Sequence, residues 1–194
     1  MLFVESYKNT HKIPKNSIII DTTSRSKSWT KGLSPFIIQA GYLYGNYYAK
    51  NVENAWQFSK VYPDFVDDNK NPTSEYFKWA EYGWKSNFAY RYPMGKGIKP
   101  LYSLWDGKKY DYINARKYIY IPLYSRGCVK TLAFKKLLEL YKTTNKDIYL
   151  IDFDGYNHKD LNMTLTDVLN NNKKSLGHSF VIYDLLQKYK KFKI

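Results

Sequence analysis

The chain has 194 residues, of which 44% are hydrophobic and 19% aromatic, and its 31 Lys and Arg against 17 Asp and Glu give a net charge of +14. No stretch approaches the roughly 18 apolar residues that a membrane-spanning helix needs, and the apolar content is too high for a disordered chain. These values predict one globular domain over residues 1–194, with no membrane partner.

The cysteine count and the net charge indicate the cellular compartment and the class of partner. Cys128 is the single cysteine, so no intrachain disulfide can form, and the N-terminal residues lack the apolar run of a secretory signal. We therefore expect a cytoplasmic, intracellular protein, without a metal or cofactor. The positive charge favours DNA, RNA or phosphorylated substrates as partners. A genome rich in A/T codons would also raise the content of Lys, Asn and Tyr, without selection for binding a ligand.

The first half of the chain alternates short strands, turns and helices. The β-branched run at 17–21 predicts a strand, and the mixture of Pro, Gly and aromatic residues at 33–50 predicts extended segments and turns. Asn51 is a suitable N-cap for a helix from Val52 to about Tyr62. A second short helix is predicted at about 73–85.

The second half carries the clearest periodic patterns. Residues 111–127 are expected to begin as helix and become strand near 118–121, because Pro122 limits a helix. Residues 129–144 predict an amphipathic helix, with Leu132, Leu137, Leu138 and Tyr141 on one side. A buried strand at 147–155, a last helix at 178–190 and a basic tail at about 187–194 complete a helix-dominated α+β domain with a few short strands.

A row of polar residues follows the predicted first helix. Glu53, Gln57 and Lys60 stand at i, i+4 and i+7, so their side chains share one stripe of a helix. A neighbouring stripe, which includes Trp56, is apolar and would pack inward. The polar stripe is either an ordinary solvated face or one wall of a binding site.

The wider segment resembles the NADAR superfamily. Its members carry a Leu-Ser-Asn-Phe-like stretch, a short β excursion, and then Val-Glu-x-x-x-Gln-x-x-Lys on a helix. Here "LSPF" supplies Ser34 and Phe36, and "NVENAWQFSKVY" supplies Glu53, Gln57 and Lys60 at the family's spacing. The chain departs from the pattern in two ways. Asn54 replaces the usual His, and the usual Trp-Gly-x-Gly segment is missing.

The resemblance implies a NADAR-like fold and an N-glycosidase or ADP-ribosyl glycohydrolase activity. Members of the superfamily cleave ribose–nitrogen bonds in riboflavin-pathway intermediates, or remove ADP-ribose from modified guanine in nucleic acid. By motif position, Glu53 would be the catalytic carboxylate, and Gln57 and Lys60 would orient ribose or phosphate. Ser34 and Phe36 would line the substrate site.

Four further residues are candidates with competing structural roles. Asp106, beside Trp105, is either a second acid or a turn aspartate, and Trp105 would contact the substrate. Arg116 follows "INA", which loosely matches the superfamily's Met-Arg-x-Ala helix region. Arg116 either binds phosphate or is a surface charge. Trp56 either packs in the core or stacks on the base.

The motif "LIDFDGYN" at 150–157 offers another acid. It resembles the nucleophile strand of haloacid-dehalogenase phosphatases, with Asp152 as nucleophile and Asp154 as acid. We reject that interpretation because the motif lies near the end of the chain and Tyr156 stands where Thr or Ser is needed. Asp152 and Asp154 either hold a turn at a strand end, or Asp154 completes the glycosidase site.

Two other functions remain open at this stage. One is a nucleic-acid-binding protein without catalysis, since Tyr, Phe and Trp stack on bases and Lys and Arg contact phosphates. The other is a protein of the same fold that binds or transfers ADP-ribose or modified nucleotides without hydrolysing them. The absence of the Trp-Gly-x-Gly segment motivates this alternative.

Overall fold

The computed structural model describes residues 1–191, and in this range helices outweigh strands. The predicted helix-dominated α+β class is therefore confirmed. The chain divides into two compact units. The first combines Met1–Ile38 with the chain from Tyr124 onwards, and the second is Gln39–Leu123. The single domain over 1–194 stays a prediction.

The described elements are short. The strands are β1 (Leu2–Ser6), β2 (Ile18–Asp21), β3 (Gly41–Tyr42), β4 (Tyr48–Ala49), β5 (Lys60–Val61), β6 (Tyr102–Trp105), β7 (Lys108–Tyr110) and β8 (Ile148–Asp152). The α-helices are α1 (Val52–Gln57), α2 (Ser74–Lys85), α3 (Tyr112–Ala115), α4 (Ile121–Cys128), α5 (Leu132–Thr143), α6 (Leu165–Asn170) and α7 (His178–Lys191). A π-helical turn, Arg116–Tyr120, joins α3 to α4, and 3₁₀ turns cover Tyr7–Lys12, Trp29–Leu33 and Pro63–Phe65.

The first unit is built on a parallel sheet with β8 in the centre and β1 and β2 at its sides. Ile148, Leu150 and Ile151 of β8 are buried, as expected for a central parallel strand that is covered by helix α7. Parallel strands bring their carboxyl ends to one edge, where Ser6 of β1 is in register with Asp152 of β8. This edge is the place where ligands bind in many open parallel sheets.

The second unit has an aromatic core. Tyr76 and Trp84 of α2 are fully buried, and Phe58 packs against Trp79 with ring centroids 4.6 Å apart. Gly83 permits this packing, because a Cβ at that position would stand 2.1 Å from the Phe58 ring. The unit also holds the β3–β4 hairpin and the antiparallel sheet β5-β6-β7.

Helix α1 is shorter than the sequence predicts. Asn51 caps it as expected, since its Oδ1 accepts a hydrogen bond of 2.8 Å from Asn54 N. The helix ends at Gln57, however, and the chain turns into β5, where Lys60 pairs with Ser103 of β6. The predicted extension to Tyr62 is therefore wrong, because pairing with a distant strand replaces the last helical turns.

The predicted strand near 118–121 is also wrong. The backbone stays helical from α3 through the π turn to α4, and Ile121 N donates to Arg116 O, five residues back. Pro122 therefore lies inside a continuous helical segment, directly after a π turn that already departs from the regular hydrogen-bond pattern of an α-helix. Proline shapes this segment but does not end the helix.

Several other predicted elements are confirmed, namely those now described as β2, α2, β8 and α7. In α5, Leu137 and Tyr141 are buried as predicted, but Leu132 is 82% exposed. The predicted basic tail falls partly in α7, and residues 192–194 lie outside the described range. Among the described helices, none has the length and apolar content required to cross a membrane.

Candidate functional site

A hydrogen-bonded row of three side chains lies at the end of α1 in the second unit. Gln57 Nε2 donates to Glu53 Oε1 over 2.9 Å, and Lys60 Nζ donates to Gln57 Oε1 over 2.6 Å. Glu53 and Gln57 meet because they are four residues apart on a helix, whereas Lys60 reaches Gln57 from β5. We call these residues the polar row.

The polar row is not a solvated helix face. Glu53 is 6% exposed and Gln57 is 8% exposed, and Lys60 is half-buried. Charged side chains are rarely buried unless they are paired or have a function. Of the two interpretations of the sequence, the solvated surface is therefore wrong, and a wall of buried polar groups is what the fold builds.

Lys60 occupies an unusual environment for an ammonium group. Its Nζ lies 4.9 Å from the centroid of the Trp56 ring, and the ring in turn packs on Tyr120 at 5.3 Å. Burial lowers the pKa of Lys60 to about 8, against the opposing effect of the Glu53 charge. Trp56 is buried and packs in the core, as one of the two sequence interpretations predicted.

Asn54, which departs from the NADAR pattern, has a structural role. Its side chain is fully buried, and Nδ2 donates to Ser86 O and Phe88 O at 3.3 and 2.7 Å. Its Oδ1 accepts from Tyr90 N at 2.9 Å. The Asn54 side chain therefore connects the segment after α2 to the helix that carries Glu53. The sequence alone identified Asn54 only as a departure from the motif.

Three more candidates lie in the second unit. Arg116 is 1% exposed with its guanidinium 4.1 Å from the Tyr112 ring, so the interpretation as a surface charge is wrong. Trp105 ends β6 and packs on Tyr44 at 4.8 Å. Asp106 and the following glycine have positive φ and form the exposed turn between β6 and β7. Asp106 therefore has the geometry of a turn aspartate.

Ser34, Phe36 and Asp154 belong to the first unit. Ser34 is buried, its Oγ accepts from Phe36 N at 3.3 Å and its carbonyl accepts from Ile37 N at 2.9 Å, so it holds a local turn. Asp154 is half-buried in the turn after β8, and its backbone N–H donates to the Asp152 carboxylate. The predicted candidates are thus distributed over both units.

The sequence did not predict the partner of Asp152. Asp152 Oδ2 lies 3.0 Å from His178 Nδ1, and His178 Nε2 lies 2.8 Å from Thr22 O. A carboxylate and a carbonyl both accept, so these two contacts fit an imidazole that carries a proton on each nitrogen. Burial raises the pKa of Asp152, but the His178 charge and the hydrogen bonds outweigh it and lower this pKa to about 2.

Glycine makes room for this pair. A Cβ on Gly177 would stand 2.6 Å from Asp152 Oδ2, and Ser179 N, in the first turn of α7, donates to the same oxygen at 3.2 Å. Asp152 thus ties the centre of the sheet to the start of α7. This arrangement matches the prediction of acids that hold a turn at a strand end.

Within residues 1–191, no three His, Cys, Asp or Glu side chains group as potential metal ligands. No protein-family model matches the chain, and no curated protein or solved structure is significantly similar to it. The resemblance to the NADAR superfamily therefore depends on the motif residues themselves, chiefly Glu53, Gln57 and Lys60.

Proposed function

We propose that the chain is an N-glycosidase that hydrolyses the bond between ribose and base in a nucleotide-like substrate or in ADP-ribosylated nucleic acid. The observation that supports this proposal is the polar row, in which a buried carboxylate, a carboxamide and an ammonium group form one hydrogen-bonded series. Their motif spacing is the one that the NADAR resemblance assigns to the active site.

The chemistry needs a carboxylate close to the sugar. When the carbon–nitrogen bond breaks, positive charge develops at the anomeric carbon, and a nearby carboxylate stabilises it and takes a proton from the attacking water. The water oxygen bonds to the anomeric carbon as the carbon–nitrogen bond breaks. The departing base takes a proton from solvent, and the carboxylate returns to solvent the proton that it took from the water. Glu53 fits this role because Gln57 holds one of its oxygens at 2.9 Å and so fixes the carboxylate in advance.

Lys60 suits the charged part of the substrate. Its ammonium group reaches the polar row from β5, and a nucleotide brings phosphate oxygens that an ammonium binds. With a pKa of about 8, Lys60 is mostly protonated at neutral pH and loses its charge just above it. We assign Lys60 and Gln57 to substrate orientation, and the proposal needs neither Asp106 nor Asp154.

Glu53→Gln tests the assignment directly. The purified chain is incubated with nucleoside monophosphates and with an ADP-ribosylated single-stranded oligonucleotide, and released base and sugar are measured by mass spectrometry. We expect the variant to lose about 100-fold or more in kcat, since a preorganised charge at the reacting centre is worth that much. Glu139→Gln is the matched control because Glu139 is exposed on α5.

The outcomes separate the alternatives. Thermal unfolding of both variants establishes that they are folded. Turnover by Glu53→Gln at the rate of the unchanged chain would remove Glu53 from the mechanism. Tight binding of ADP-ribose without any release of base or sugar would instead favour the non-hydrolytic binder.

A further inference from the structure

Residues 86–101 form an irregular loop between α2 and β6 in the second unit, and we call them the 86–101 loop. The fold fastens the loop at both ends. Asn54 binds the backbone of Ser86, Phe88 and Tyr90, and Leu101 N donates to Val61 O at 2.8 Å. The loop is therefore placed by the same elements that carry the polar row.

The 86–101 loop exposes three aromatic rings that stand close together in sequence. Phe88 is 76% exposed, Tyr92 50% and Tyr90 37%, whereas Tyr76 and Trp84 of the adjoining helix are fully buried. Hydrophobic side chains scattered singly on a surface are ordinary, but three aromatic rings at alternate positions of one loop are not. These rings are available to a partner.

The charged residues along the 86–101 loop have one sign. Between Glu81 and Asp106 the sequence contains no acidic residue, while the 86–101 loop itself carries Arg91, Lys96 and Lys99. Lys96 and Lys99 are exposed, and the Arg91 guanidinium lies 5.4 Å from the Tyr92 ring. The surface therefore complements a ligand that combines flat rings with negative charge.

We propose that the 86–101 loop binds single-stranded nucleic acid. Phe88 and Tyr92 stack on bases, and Lys96 and Lys99 contact phosphates. Unpaired bases expose their faces, whereas a duplex hides them, so exposed rings select a single strand. This inference stands on the loop's own exposure and charge and does not depend on hydrolysis by Glu53.

Fluorescence anisotropy with a labelled oligothymidylate of about 20 nucleotides tests the stacking. Phe88→Ala combined with Tyr92→Ala should weaken binding at least about tenfold, since each stacked base contributes that order of affinity. Tyr42→Ala is the control, because Tyr42 is 72% exposed in the β3–β4 hairpin of the same unit. It should change affinity by less than about twofold.

A salt series tests the phosphate contacts. Between about 50 and 300 mM salt, Lys96→Ser with Lys99→Ser should flatten the slope of log affinity against log salt by about 1.4, which corresponds to two lost phosphate contacts. Lys142→Ser with Lys146→Ser removes the same charge from exposed positions elsewhere. That control should leave the slope unchanged.

Four results would overturn the inference. They are no binding by the unchanged chain at about 50 mM salt, normal binding by the double aromatic variant, equal weakening by both lysine pairs, and equal affinity for a duplex of the same length. Chromatography adds one more test, because a dimer that Phe88→Ala dissociates would assign the loop to a second copy of the chain. Glu53→Gln should bind the oligonucleotide normally, so failure of the glycosidase proposal remains distinguishable.

Discussion

Each compact unit buries a carboxylate that is linked to a cation, and the two links differ. In the first unit, Asp152 lies directly against the His178 imidazole at 3.0 Å and also receives the N–H of Ser179. In the second unit, Gln57 stands between the Glu53 carboxylate and the Lys60 ammonium. One arrangement joins opposite charges at contact, and the other separates them by a neutral amide.

The difference indicates two purposes. A direct buried pair that also caps a helix ties two elements together, and removal of either charge leaves the other without compensation in the interior. In the polar row, the Gln57 amide lies between the Glu53 carboxylate and the Lys60 ammonium and orients both, as a preorganised site for a charged ligand requires. We therefore expect Asp152 to matter for stability and Glu53 for activity.

The largest expected effect is a difference in stability between variants of these two carboxylates. Asp152→Asn should lower the free energy of unfolding by about 3–5 kcal/mol, because it leaves the His178 charge buried without its partner. Glu53→Gln should lower it by less, since the new amide has the same size and its oxygen can still accept the hydrogen bond from Gln57. Urea unfolding measures both. Equal losses would mean that Glu53 is a structural residue too.

The pH dependence of stability sharpens the same comparison. The pKa of Asp152 is about 2 in the folded chain, against 3.8 for the ordinary group, so the folded state favours the charged carboxylate. This stabilisation, about 2 kcal/mol, is fully present above pH 3.8 and is lost as the pH falls through 2. In a urea series at acid pH, Asp152→Asn should lack this loss.

Lys60 should respond at the other end of the pH scale. Its pKa is about 8 in the folded chain and 10.5 for the ordinary group, so the folded state disfavours the charged amine. Stability should therefore rise between pH 8 and 10.5, while turnover should fall as the phosphate-binding charge is lost. Lys60→Met should abolish the rise in stability. A flat profile in the unchanged chain would contradict the lowered pKa.

A smaller loss is expected at the neighbour of Glu53. Asn54→Ala removes three hydrogen bonds to the 86–101 loop and should lower the free energy of unfolding by about 1–3 kcal/mol. Hydrogen exchange at the Tyr90 amide should become faster. Asn87→Ala is the matched control because Asn87 is exposed in the same loop. Unchanged exchange at Tyr90 would show that Asn54 does not hold the loop.

The smallest effect is expected at Asp106. Asn accepts positive φ as Asp does, so Asp106→Asn should keep the exposed β6–β7 turn and leave Tm within about 2 °C. If the residue only forms a turn, turnover should stay within about twofold of the unchanged chain. A loss near that of Glu53→Gln would restore Asp106 as a second acid.

Much of the secondary structure followed from local patterns. The β-branched run of β2, the apolar run of β8 and the amphipathic pattern of α5 predicted those elements because neighbouring residues decide them. The sheet β5-β6-β7 was missed, since it depends on Lys60 pairing with Ser103 far along the chain. That same pairing ends α1 earlier than its sequence indicates.

In the candidate site, too, local contacts could be predicted from the sequence and long-range ones could not. The contact between Glu53 and Gln57 could be predicted, because the helical period alone brings positions i and i+4 together. Burial could not be predicted, and it excluded the surface-charge alternative for Arg116. The pairing of Asp152 with His178 also escaped, since the sequence does not state which helix start will cover a strand end.

By itself, the sequence determined the α+β class, the capped start of α1 at Asn51 and the spacing that aligns Glu53 with Gln57, because backbone geometry within a few residues is enough for each. Only the tertiary structure decided that this row is buried, that Lys60 joins it from a strand, and that Asn54 fastens an exposed basic loop. These outcomes depend on which distant segments exclude water from a side chain, and burial of that kind is a property of the packed chain.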